Sequence, residues 1–327
     1  MTEDINARGV IGAALGLTTL LLVAADTVAR IAPDRMPVAG HARLGEAITA
    51  IAVPALFLIF GRLCAGEPLS IIGLRRTALV RGLLAVFVFA TAARMIDAST
   101  YGVDPMLALG ASLYWPDGAF TVLPGLALLI LAAPRISAAR PFFVVGLAAG
   151  LFLSRVSTGV VLIDAAAANA IFFVCGLSGC RLIDGFVGAV RHERGEVLVC
   201  ATVLVAIALL AAAVGVARAP IMSLILGAAG IAVVLSFAAE LARTRLGAGL
   251  DWLGAHVLVL LIGMEVPLAL LGRGPAGSTA AALAGLAFVI VASTGLAALS
   301  AWSARRGAAH RLYRRAASAE TAHTETA

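Results

Sequence analysis

The chain offers chemistry at a small set of polar side chains set in long apolar runs. Asp26 and Arg30 stand four residues apart, and Arg43 and Glu46 three apart. Arg94 and Asp97 repeat the spacing of three, and Arg155, Asp164 and Asn169 follow further along. Spacings of three and four put two side chains on one face of a helix. Charge is costly inside an apolar span, so each of these groups is a functional candidate by default. Two readings are open. The set either forms ion pairs that hold helix ends together and snorkel toward water, or lines one outward-facing polar pocket.

His256 and Glu265 are the deepest ionisable residues of the late apolar run, nine residues apart. At about 100° per residue they lie on opposite faces of a straight helix and form no acid–base pair there. Pro267 could bend that helix. A buried carboxyl holds its proton more tightly, which suits a proton donor or acceptor. Asp26, Glu265 and Asp97 are therefore the candidates for proton transfer. An Arg partner from another span is the competing role for Glu265. His256 has Trp252 one turn away, which suits a packing role or a substrate contact.

Other catalytic patterns fall away. Gly176, Leu177, Ser178 and Gly179 match the serine motif of rhomboid proteases, and Gly254, Ala255 and His256 resemble their histidine segment. That fold has one span between the two motifs, and this chain has two. There is no glycine-rich phosphate loop and no HExxH metal site. Cys64, Cys175, Cys180 and Cys200 show no CxxC spacing and read as buried thiols. No metal or resident cofactor is expected.

The elements that must position these residues are apolar helices. The composition is 61% hydrophobic and 13% charged. About 20 apolar residues cross a bilayer core, and only helices satisfy their own backbone there. Spans are predicted at 9–30, 44–64, 79–97, 118–134, 139–156, 165–183, 196–217, 220–240, 252–272 and 277–302. The fold class expected is an all-α polytopic membrane protein of about ten helices. Residues 1–302 form one transmembrane domain, and 303–327 a disordered basic tail. Residues 99–117, only half apolar, read as an external loop or a short interfacial helix with Tyr114 and Trp115 at the headgroup level. The start of the chain is a poor signal peptide, so the first span is expected to stay as an anchor.

Charge sets orientation. The net charge of +6 comes from 24 Arg and no Lys. Arg305, Arg306, Arg311, Arg314 and Arg315 make the tail cytoplasmic. With an even number of spans the other terminus joins it. Arg62, Arg75, Arg76, Arg81, Arg135, Arg140, Arg181, Arg191, Arg194, Arg243 and Arg245 then fall inside, while Asp34, Asp97, Asp104, Asp117 and Asp164 fall outside. The loop with Arg30, Arg35 and Arg43 runs against this pattern. Membrane lipids are the expected partners. Nucleic acid is not, since there is no basic domain or aromatic platform. Arg without Lys, with abundant Ala and Gly, points to a GC-rich, actinobacterial source and the bacterial plasma membrane. Small residues at spacing four, Gly12/Gly16, Gly146/Gly150 and Gly277/Ala281/Gly285, are read as helix-packing stripes.

Four segments together resemble the acyltransferase-3 family of bacterial integral-membrane O-acyltransferases. Asp4 to Gly9 (DINARG) resembles the family's Asp…Arg-Gly start of the first span. Ile51 to Gly61 (IAVPALFLIFG) resembles its second span through Pro54, Phe57 and Gly61. Asn169 to Arg181 (NAIFFVCGLSGCR) resembles a later segment through Phe172, Phe173, Gly176 and Arg181. Trp252 to Pro267 resembles its late His-containing span, with Glu265 at the His. The resemblance implies a ten-span scaffold that moves an acyl group from acyl-CoA to a hydroxyl of a lipid or glycan. Arg8, Arg75 and Arg76 would then hold the anionic donor. Arg94, Asp164, Asn169 and His256 would contact substrate. One departure bears on chemistry: the family's first-span His, about eleven residues after its Arg, aligns with Thr19. Thr does not replace a His base. The alternatives are a non-catalytic transporter or accessory subunit on the same scaffold, or a membrane prenyl or terpene cyclase that protonates with an intramembrane carboxylic acid.

Overall fold

The computed structural model describes residues 7–31, 40–65, 76–100, 104, 106, 122–155, 157–192, 196, 199–200, 202–204, 206–207, 210, 219–261, 287–292, 294–295 and 298. Among the described residues the regular structure is all helix, with no strand. The helices are α1 (Ala7–Ile31), α2 (Gly40–Ala65), α3 (Arg76–Thr100), α4 (Val122–Ala138), α5 (Pro141–Ser154), α6 (Val161–Ser178), α7 (Cys180–His192), α8 (Pro220–Leu241) and α9 (Arg245–Ala255). Residues 257–261 are helical again after a break at His256.

Among the described residues three stretches are long and apolar enough to cross a membrane: Gly9–Thr27, Ala47–Ala65 and Pro220–Leu241. The bent pair of α6 and α7 makes a fourth if counted as one span. Helices stand where spans are predicted at 9–30, 44–64, 79–97, 118–134, 139–156, 165–183 and 220–240. The predictions for 196–217, 252–272, 277–302, most of the 99–117 loop and the 303–327 tail fall largely or wholly outside the described residues.

Two predicted spans differ from the structure. The run 165–183 is not continuous: helix stops at Ser178, and α7 leaves α6 at 77°. Gly179 closes α6 by donating its N–H to the Cys175 carbonyl at 2.8 Å. The run from 252 begins earlier, inside α9, and breaks at His256.

α2 is the centre of the bundle and packs against α6, α1, α8 and α4. Its Phe57 and Phe60 are fully buried, as is Phe173 of α6. The C-terminal halves of α2 and α6 meet backbone to backbone. A Cβ on Gly61 would strike the Phe173 carbonyl, and one on Gly176 the Leu58 carbonyl. This approach lets dispersion contacts and helix surfaces close without side chains between them. Pro54 and Phe172 fill the space facing Gly227 of α8, and Phe172 takes an edge-to-face contact from Phe152 at 5.8 Å. α3 and α5 are peripheral, with Phe142 and Phe143 of α5 exposed at 95% and 70%.

Candidate functional site

The polar core of the described structure lies mainly on α1. Thr18, Thr19 and Thr27 are fully buried and Asp26 nearly so, at 2%. Each Thr hydroxyl donates to the carbonyl four residues back: Thr18 to Ala14 and Thr19 to Leu15 at 2.7 Å, Thr27 to Val23 at 2.6 Å. Back-bonding of this kind satisfies a hydroxyl inside its own helix. The Thr19 proton is thereby committed to the backbone. That hydroxyl is a poor proton acceptor for a reacting group.

A second locus lies where α1 crosses α9. A Cβ on Gly16 would meet the Leu250 carbonyl, one on Gly254 the Gly12 carbonyl, and one on Gly12 the Asp251 carboxylate. Asp251 is thereby pressed onto α1. The end of α9 is built by His256. Its backbone N–H bonds to Leu253 rather than Trp252, at 3.0 Å. The Trp252 carbonyl, left over, takes the His256 ring Nδ1 at 2.8 Å. A carbonyl only accepts, so Nδ1 carries the proton. The ring also lies against Trp252 with centroids 4.4 Å apart. One imidazole edge is thus spent on local structure.

Two further polar groups are structural in the geometry seen. The Asp164 carboxylate holds the turn before α6, accepting from Thr158 N–H at 2.7 Å, Thr158 Oγ1 at 2.8 Å, Gly159 N–H at 3.2 Å and Ser157 Oγ at 3.3 Å. That turn needs left-handed backbone at Gly159 and Arg155, with φ of 75° and 46°. Asn169 donates to the Ala165 carbonyl of its own helix at 3.0 Å.

The structure also forms a pair that the sequence reading did not single out. Arg62, in the last turn of α2, grips Asp184 of α7 through both carboxylate oxygens, the shortest contact being 2.9 Å. The two are 122 residues apart, so no local spacing announces them. Asp251 was missed because it falls one residue before the predicted span.

Among the described candidates, Asp26, Asp164, Asn169 and His256 are spread over α1, α6 and the end of α9. Asp26 lies ten residues beyond Gly16, about 15 Å of helix rise from the α9 crossing. Asp164 and Asn169 belong to α6. Arg8 lies at the start of α1, Arg76 at the start of α3, and Arg94 and Asp97 near its end, with side chains outside the described set. Arg75 and Glu265 lie outside the described residues altogether. Among the described residues no group of three His, Cys, Asp or Glu gathers to hold a metal. Of the cysteines, Cys64 is buried as expected, whereas Cys175 and Cys200 sit on the outer side of their helical segments and are exposed. In an apolar bundle a thiol is small and apolar enough for either face.

These features define a class: an all-α protein with helices long and apolar enough to cross a membrane. Comparison with protein-family models, with curated proteins and with solved structures gave no match.

Proposed function

We propose that the chain is a multi-pass protein of the bacterial plasma membrane that crosses it ten times, with both termini cytoplasmic. It is a non-catalytic member of an acyltransferase-like scaffold, acting as a transport or accessory subunit. The observation that carries this reading is Thr19. The position where the resemblance calls for a His base holds a fully buried hydroxyl bonded to Leu15 at 2.7 Å. The topology has its own support. The C-terminal halves of α2 and α6 lie together with three helices between them in sequence, as alternating crossings require. Arg62 and Arg181 mark that end, which agrees with a cytoplasmic Arg excess.

A second reading, acyl transfer, is favoured by the burial of Asp26 in α1. In that reading Asp26 or Glu265 takes the acceptor proton, acyl-CoA is the donor held by Arg8, Arg75 and Arg76, and a lipid or glycan hydroxyl is the acceptor.

The test is the acylation of envelope lipids and glycans in a deletion strain, read by mass spectrometry. The non-catalytic reading predicts the parental acyl pattern. An acyl group lost on deletion, and restored by the wild type but not by Asp26→Asn, would install the second reading.

A further inference from the structure

α7 follows α6 after the single non-helical residue Gly179 and leaves it at 77°. A segment that ran on through hydrocarbon would be apolar all round, and α7 is not. At about 100° per residue, its apolar side chains from Leu182 to Val190 fill one continuous arc. Arg181, Asp184, Gly185 and Gly188 fill the opposite one.

The apolar arc is divided between two surroundings. Ile183, Val187 and Val190 are buried, and α7 packs against α8, α6 and α1. The other half faces outward: Leu182 is 80% exposed, Ala189 is exposed and Phe186 is half-buried. On the polar arc Arg62 neutralises Asp184. Arg181 is exposed and adds a positive charge to that arc.

An apolar edge beside an exposed Arg, on a helix turned across the end of a span, matches the boundary between acyl chains and headgroups. Arg near that boundary is drawn to anionic lipid, worth about fivefold in local enrichment per residue. We propose that α7 lies in the plane of the membrane interface, with Leu182 entering the acyl-chain boundary and Arg181 engaging anionic phospholipid headgroups. The Arg62–Asp184 pair fixes its depth by tying it to the end of α2. This inference rests on reading the chain as membrane-spanning.

The experiment uses the full chain in vesicles of equal phosphatidylcholine and phosphatidylglycerol. A photo-crosslinking phenylalanine analogue is placed singly at Leu182, Gly188 or Phe142. The expected result is lipid adducts from positions 182 and 142 and none from 188. The ratio of phosphatidylglycerol to phosphatidylcholine in the adducts at 182 should be about five, and Arg181→Gln should bring it to about one. Adducts at 142 but not at 182 would overturn the in-plane placement alone, as would adducts at both 182 and 188. A protein adduct in place of lipid at 182 would give that edge to a partner. No lipid adduct at 142 would sink the membrane reading itself. Phosphatidylglycerol at its bulk share would remove the headgroup contact.

Discussion

Two glycine stripes with the same spacing end in opposite surroundings. Gly12 and Gly16 of α1 meet α9 so closely that a Cβ at Gly16 would overlap the Leu250 carbonyl. Among the described residues nothing lies within 4 Å of where a Cβ on Gly146 or Gly150 of α5 would stand. The first stripe is a backbone-to-backbone crossing and the second an open face beside exposed Phe142 and Phe143. Small residues at spacing four permit close approach; they do not create a partner. The difference is in what the fold brings opposite, and α9 reaches α1 from more than two hundred residues away.

The contrast can be broken most strongly at Gly16. Gly16→Leu forces a side chain into the Leu250 backbone, which has no rotamer with which to yield. The expected cost is roughly 3 kcal/mol or more, beyond ordinary overpacking, and a loss of monodisperse protein in size-exclusion chromatography. Gly12→Ala should cost less than Gly16→Ala, because the Asp251 carboxylate can swing away and a carbonyl cannot; thermal midpoints in one detergent order the two. Equal midpoints would deny that distinction.

Outside the crossing the effects shrink. Arg62→Ala should cost about 1 kcal/mol, as for partly exposed ion pairs. The exchange Arg62→Asp with Asp184→Arg should recover part of it, and a double-mutant cycle measures the coupling. The open stripe should show no loss: Gly146→Ala with Gly150→Ala should leave stability unchanged or raise it by up to about 1 kcal/mol, since Ala is the better helix former. A large loss there would mean that α5 does have a backbone partner.

The apolar runs made the helical class legible, because a bilayer span leaves a length and composition signature in one stretch of chain. The bend at Gly179 was hidden, since α6 ends and α7 begins in similar residues. Only the arcs of α7, read at helical angles, separate it from a span. At the candidate site, sequence singled out Asp26 as a charge inside the first helix, and its burial came only with the packing of the other helices. It did not reveal that Asp164 serves a turn, because the Thr158 and Gly159 donors belong to loop geometry. Nor did it reveal Arg62 with Asp184, whose meeting is set by tertiary packing. His256 was read beside Trp252, and that contact is present at 4.4 Å.

The proposed function is non-catalytic, with the buried Thr19 hydroxyl bonded to Leu15 as its support. The most direct measurement is thiol release from acetyl-CoA and longer acyl-CoA donors by purified wild-type and Asp26→Asn protein, in nanodiscs of total envelope lipid. The account predicts release by neither protein above that of empty nanodiscs. Release by the wild type that is abolished in a folded Asp26→Asn variant would contradict it.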